Sequence, residues 1–167
     1  RLAEYRGLGA RFAKWRAVID VGAGIPTPFA LEANTHALAR YAALCQEASI
    51  VPIVEPEVLM DGDHTIERCE AVTDAALETV LDALFRHGVR LEGMVLKPNM
   101  VIAGKKCPKQ APPQQVADAT LRCLRRRVPA AELYRLGVIE ACPPRDTLMA
   151  AALDIARELA PNSPLAR

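Results

Sequence analysis

The sequence predicts an α/β chain of three parallel strands with helices packed outside them, followed by a helical appendage. Three observations predict it. Runs of strand character alternate with longer segments of helical period, in the order strand, helix, strand, helix, strand, helix. Each segment between strands is long enough for the crossover that parallel neighbours need. Two of the runs meet a proline, Pro56 and Pro98, whose missing N–H should end sheet pairing and leave Glu55 and Lys97 at equivalent carboxyl ends.

In chain order, Leu2 to Phe12 reads as a short connecting segment, helical at its start, with Gly7 and Gly9 as breakers. Residues 13–21 gain strand character toward the β-branched end, and the period of two puts Lys14, Arg16 and Val18 on one face. A Gly- and Pro-rich loop follows from Gly22 to Pro28, then a helix over 31–46 with Leu31, Leu38, Tyr41 and Cys45 on one stripe. Ile50 to Val54 is a continuous apolar run, the pattern of a strand covered on both faces, and it closes in Glu55-Pro56-Glu57. Asp61-Gly62-Asp63-His64 reads as a turn, with Asp63 as the expected cap of the next helix. That helix carries Ile66, Cys69, Val72, Ala76, Leu77, Val80 and Leu84 at helical spacing and stops near Gly88. The third strand is expected over Leu91 to Lys97, ahead of a basic loop at 103–109 and a helix opened by Pro112-Pro113 that runs to Arg127. The Arg125-Arg126-Arg127 run is read as cations placed to suit the end of a helix dipole.

Composition narrows the function. The 167 residues hold 21 Lys and Arg against 20 Asp and Glu, a balance that gives no reason to expect nucleic-acid or anionic-membrane partners. The length suffices for one ordinary core but is short of the about 250 residues of a closed eightfold barrel. Five cysteines without paired spacing argue against a disulfide framework and a zinc site, and suggest a reduced, cytoplasmic setting. His36, His64 and His87 fall in no metal-ligand spacing, so no metal is expected. No run approaches a membrane span, and the start does not read as a signal peptide.

The chemistry is concentrated where strands end. At the carboxyl end of a parallel strand, Lys97 stands where such sheets place ligands, and an amine there can attack a carbonyl once its lone pair is free. Lys14 nearby would favour the neutral amine, and Glu55 could carry the protons that convert a carbinolamine into an iminium. Lys14 and Arg16 on one strand face also suggest a wet cavity able to receive an anion, or a strand face turned to solvent. Salt-bridged structural charges would produce the same pattern.

These residues carry a resemblance. Phe12-Ala13-Lys14-Trp15-Arg16, Leu38-Ala39-Arg40-Tyr41-Ala42, Ile50-Val51-Pro52-Ile53-Val54-Glu55-Pro56-Glu57, Asp61-Gly62-Asp63-His64 and Leu96-Lys97-Pro98-Asn99-Met100 occur in that order. Over residues 1–131 the chain closely resembles the central part of class I fructose-bisphosphate aldolase. The resemblance implies part of an eightfold (β/α) barrel, a partial TIM barrel over 1–130. It also implies cleavage of fructose 1,6-bisphosphate to dihydroxyacetone phosphate and glyceraldehyde 3-phosphate in glycolysis. Lys97 matches the family's Schiff-base lysine, Glu55 its acid/base for imine formation, and Lys14 the lysine that supports charge and proton handling. Arg16 lies at the substrate-phosphate end, and Glu57 is a peripheral carboxylate of the site. The implied partner is a sugar phosphate and no metal cofactor is implied, because the iminium is itself the electron sink.

The likeness is to the central part alone. The family's first strands with an aspartate for the C–C bond step, its serine-glycine-glycine phosphate loop and its C-terminal tyrosine have no counterpart in these residues. Residues 131–167, with a helix capped by Asp146 and striped by Leu148, Ala152, Ile155 and Leu159, instead resemble a late segment of crotonase-fold enoyl-CoA hydratases and isomerases. Two further readings follow: a catalytically inactive fragment serving as an assembly module, and, least favoured, a CoA-ester enzyme. A partial barrel would expose strand edges and its inner face, so self-association is expected.

Overall fold

The computed structural model describes residues 1–128, and the chain divides into two units, Arg1–Val128 and Pro129–Arg167. The expected tail helix and the crotonase-like segment lie outside the described residues. The elements in order are α1 (Leu2–Gly7), β1 (Phe12–Ile19), α2 (Pro28–Glu47), β2 (Val51–Val58), α3 (Ile66–Arg86), β3 (Val95–Leu96) and α4 (Pro113–Arg127). The strands form one parallel sheet in the order β1-β2-β3. The predicted α/β architecture of three parallel strands with covering helices is therefore the observed one.

Strand limits differ from expectation for physical reasons. β2 runs through both Pro52 and Pro56 to Val58, so Pro56 does not end it. In a parallel sheet alternate residues bond to alternate neighbours. Val51 donates to Arg11 O on the β1 side at 2.9 Å, and Val54 O accepts from Lys97 on the β3 side at 2.9 Å. Pro52 and Pro56 thus turn toward β3, whose pairing covers only Ile53 and Val54, and no ladder bond is lost. The third strand is also shorter than expected, because Leu91–Gly93 forms a 3-10 turn and only Val95–Leu96 pairs as strand. Lys97 still follows directly on the strand end.

Helix ends follow from capping chemistry. The Thr27 hydroxyl accepts the Ala30 N–H at 3.1 Å ahead of Pro28 in the first turn of α2. α3 is capped by Thr65, which accepts from Arg68 at 3.3 Å, and not by Asp63. Asp63 lies too early, since Gly62 and His64 still spend their carbonyls on the loop after β3. Gly88 takes the left-handed conformation, φ +65, just past the end of α3, as expected.

Among the described residues, the helices pack on one side of the sheet. Ala17, Ile19, Val54 and Val58 point at the helices and are buried, in two clusters completed by Leu38, Ala39 and Leu84 and by Cys69, Val72 and Leu77. On the opposite face Phe12, Val18, Val51 and Val95 are exposed. The inner face of β2, expected to be covered, is thus bare between its charged residues. Leu38 is fully buried against the sheet, so Leu38→Ala should cost about 3 kcal/mol in urea unfolding, with the cavity adding to the lost transfer energy. A loss under about 1 kcal/mol would mean that the α2 layer can collapse onto the sheet.

The basic end of α4 is more than a dipole complement. Arg122 grips Glu70 with two nitrogens at 3.0 and 2.7 Å, Arg126 meets Asp74 at 3.0 Å, and Arg127 joins Asp74 and Glu78 at 2.6 Å each. These bonds lace α4 to α3, and the guanidinium groups of Arg122 and Arg127 hold the Glu70 and Asp74 carboxyls below their ordinary range.

Candidate active site

The charged residues of the open face are placed by strand register. Lys14 pairs with Ile53, Arg16 with Glu55 and Val18 with Glu57, and side chains alternate faces, so Lys14, Arg16, Glu55 and Glu57 all stand on the side away from the helices. Lys97 joins them from the end of β3, fixed by its N–H to Val54 O at 2.9 Å.

Glu55 is the centre of the arrangement. One carboxylate oxygen accepts a hydrogen bond from Lys97 Nζ, and the other lies 3.0 Å from Lys14 Nζ. Its side chain is 3% exposed, whereas Lys14 and Lys97 are 49% and 57% exposed. A carboxylate so buried is tolerable only because two ammonium groups face it. The bond from Lys97, and then Lys14, hold the Glu55 carboxyl below the ordinary glutamate range in spite of burial, which acts the other way. One turn of the pleat further along, Arg16 forms an ion pair with Glu57.

The structure brings Lys14, Arg16, Glu55 and Lys97, read from strand positions, and Glu57, named through the resemblance, onto one face, and it divides them into a Lys14–Glu55–Lys97 triad and an Arg16–Glu57 pair. The cations at Lys14 and Arg16 each meet a carboxylate, which is how two cations can share a strand face. Two further residues were missed. The Asn99 side chain accepts the Val58 N–H at 3.2 Å and donates to the Thr73 hydroxyl at 3.0 Å, tying the segment after Lys97 to β2 and α3. Thr73 is buried. The available signal was Pro98, which frees the backbone from the sheet and leaves the next side chain to anchor it.

Chemically, a primary amine touching a buried carboxylate at the mouth of a parallel sheet can form a carbinolamine with a ketone and pass protons without a metal. Among the described residues no three His, Cys, Asp or Glu side chains converge on one point as metal ligands. No described helix is long and apolar enough to cross a membrane.

Comparison with known proteins gives the family. Residues 1–134 match the family model described as fructose-bisphosphate aldolase class-I. A probable fructose-bisphosphate aldolase class 1 of Xanthomonas campestris pv. campestris is 59% identical over 130 residues, covering 78% of this chain and 39% of the relative. A fructose-bisphosphate aldolase of Dictyostelium discoideum is 46% identical over 168 residues, covering 99% of this chain and 46% of the relative. The solved fructose-bisphosphate aldolase of Plasmodium falciparum, in complex with TRAP and a small-molecule inhibitor, superposes with a TM-score of 0.76. It is 48% identical and covers 79% of this chain and 39% of that one. The chain therefore spans less than half the length of these relatives. The crotonase likeness of residues 131–167 gains no support, since the Dictyostelium alignment carries an aldolase sequence almost to the end of the chain.

Proposed function

The chain belongs to the class I fructose-bisphosphate aldolase family, and we propose that its open sheet face is the Schiff-base half of such a site, with Lys97 as the nucleophile. The contact between the Lys97 amine and the buried Glu55 carboxylate carries this reading. The substrate class is a ketose phosphate, fructose 1,6-bisphosphate in the cleavage direction. The Lys97 ammonium gives a proton to Glu55, and the freed lone pair attacks the C2 carbonyl. The attacking nitrogen passes one proton to the C2 oxygen, and Glu55 then returns its own to the resulting C2 hydroxyl, which leaves as water as the iminium forms. The iminium accepts the electron pair of the breaking C3–C4 bond, so no metal is needed for that role. Lys14 keeps Glu55 ionised while its proton is away, and Arg16, steadied by Glu57, faces a phosphate. The C4 hydroxyl proton must be taken by a base outside these residues. Residues 1–130 are the proposed functional unit, and the buried free thiols Cys45, Cys69, Cys107 and Cys123 suit a reducing cytoplasm.

The test is intact-mass analysis after incubation with dihydroxyacetone phosphate and borohydride, which reduces an iminium to a stable amine. One adduct mapping to Lys97, and missing from Lys97→Met, is the expected result. No adduct, or scattered lysine adducts unchanged by Lys97→Met, would refute it.

A second reading rests on the exposed apolar residues of the same face. Phe12, Val18, Val51 and Val95, exposed by 67, 46, 41 and 45%, surround the triad and favour self-association over a lone monomer. Sedimentation velocity should show a concentration-dependent mass, and Phe12→Lys should shift it toward one chain. A monomer at every concentration removes this reading.

A further inference from the structure

A separate feature lies in the helical layer, on the other side of the sheet from Lys97. His36 on α2 and His87 at the end of α3 are 51 positions apart in the sequence, and no other histidine or cysteine lies within one helical turn of either. In the fold their ring centroids are 4.9 Å apart with the planes 75° to each other. Both line a groove of about 520 Å³ between α2 and α3.

The spacing fits two imidazoles on one ion. With metal–nitrogen bonds of about 2.0–2.1 Å each ring centroid lies about 3.2 Å from the ion, so a tetrahedral angle separates the centroids by about 5.2 Å and a right angle by about 4.5 Å. The observed 4.9 Å lies between them. The contact behind the His87 ring suits a ligand. The ring Nδ1 is 2.8 Å from Ala83 O, and because a carbonyl can only accept, the hydrogen of the metal-binding, neutral form sits on Nδ1 and Nε2 is the nitrogen left to meet an ion. A backbone carbonyl behind the second ring nitrogen is the support that metal-ligating histidines ordinarily have.

The charges around the groove agree. Glu32, one turn before His36, lines it and favours a dication, whereas the Asp82 charge is taken up by Arg86. The two cations of the lining are engaged: Arg86 forms an ion pair with Asp82, and Arg68 donates to Ile25 O at 3.0 Å.

We propose that His36 and His87 form a two-imidazole site for a borderline divalent transition ion, of the Ni²⁺, Cu²⁺ or Zn²⁺ class, that staples α2 to α3 with water completing the coordination. Hard cations such as Mg²⁺, which prefer oxygen, are excluded by the donor set. Two protein ligands make the site weak and exchangeable, so its effect is to add stability in proportion to free ion, because the unfolded chain does not hold the two rings together.

The experiment is calorimetric titration of the metal-free chain with Ni²⁺, with Mg²⁺ as the control ion. One Ni²⁺ per chain is expected. His36→Phe keeps a ring against His87 while removing the nitrogens, and should weaken binding by about tenfold or more, as should His87→Ala. His36 is exposed, so His36→Phe leaves the fold intact by circular dichroism and decides the matter even if His87→Ala does not fold. Failure of the parent chain to bind Ni²⁺, or undiminished binding by His36→Phe, overturns the proposal.

Discussion

Glu55→Gln should slow formation of the reducible Lys97 adduct by about 10²–10⁴-fold while leaving the amine in place, the range expected when a positioned acid–base group is removed. The amide keeps the shape of the carboxylate and can still accept a hydrogen bond from Lys97 Nζ, but it can neither take the ammonium proton nor return one to the departing hydroxyl. It also leaves two ammonium groups facing a neutral side chain where they now face a charge. Single-turnover trapping separates these effects, because lost positioning alone would survive at high ketose concentration whereas a lost proton carrier limits the rate at saturation. Adduct formation within a few-fold of the parent would remove Glu55 from the chemistry.

The same substitution fixes the sign of a pH effect. The folded-state pKa of Glu55 is lowered, chiefly by the bond from Lys97, so the ionised form stabilises the fold. That stability is fully present above the unfolded glutamate value of about 4.3 and is lost as pH falls through the lower folded value. The parent should therefore exceed Glu55→Gln in unfolding free energy near neutrality, and the gap should close in acid. Glu70 and Asp74 are lowered in the same direction by their arginines, but they titrate alike in both proteins and cancel in the difference. A gap that does not narrow in acid would mean that the two lysines do not favour the Glu55 charge.

How far the sequence disclosed this can be argued from single residues. The strand–helix alternation and the face shared by Lys14 and Arg16 were legible because the period of two survives any shift of strand ends. The meeting of Glu55 with Lys97 was legible because β2 and β3 are parallel neighbours, and the register that sets Val54 beside Leu96 brings the next residues together even though β2 runs on to Val58. The ends themselves were misread wherever bonding direction mattered. Pro56 looked like a stop and is not one, because a proline breaks a ladder only on the side where a neighbour needs its N–H, and no local pattern gives that side. The partners of Arg122, Arg126 and Arg127 lie about fifty residues away on α3, and His36 meets His87 across a similar distance. Such pairs depend on how two helices are turned about their axes, which the apolar stripe fixes only coarsely.

Gly104 lies in the basic loop and looks replaceable by sequence, yet Gly104→Ala should cost about 3 kcal/mol, at the upper end of what overpacking usually costs. A Cβ there would stand 2.2 Å from Gly62 O and 2.6 Å from Gly62 C, both backbone atoms that no rotamer change can move aside. The loops after β2 and β3 come this close because they are bonded like a short ladder. Gly104 donates to His64 O at 2.8 Å, Lys105 to Met60 O at 2.7 Å and Lys106 to Gly62 O at 2.9 Å, and the Lys105 ammonium adds Asp61 at 2.9 Å. Moving either loop to admit a methyl group breaks part of this clasp just beyond β2 and β3, the strands that position Glu55 and Lys97. The cause is steric, since Gly104 does not occupy the left-handed region. Gly7 is the matched control: a Cβ there meets nothing within 4 Å, it lies in α1, and Gly7→Ala should be neutral or stabilising by helix propensity. Urea unfolding of the two variants decides it. If Gly104→Ala lost no more than Gly7→Ala, the loops would be able to part freely, and the clasp could not be what holds the ends of β2 and β3 in register.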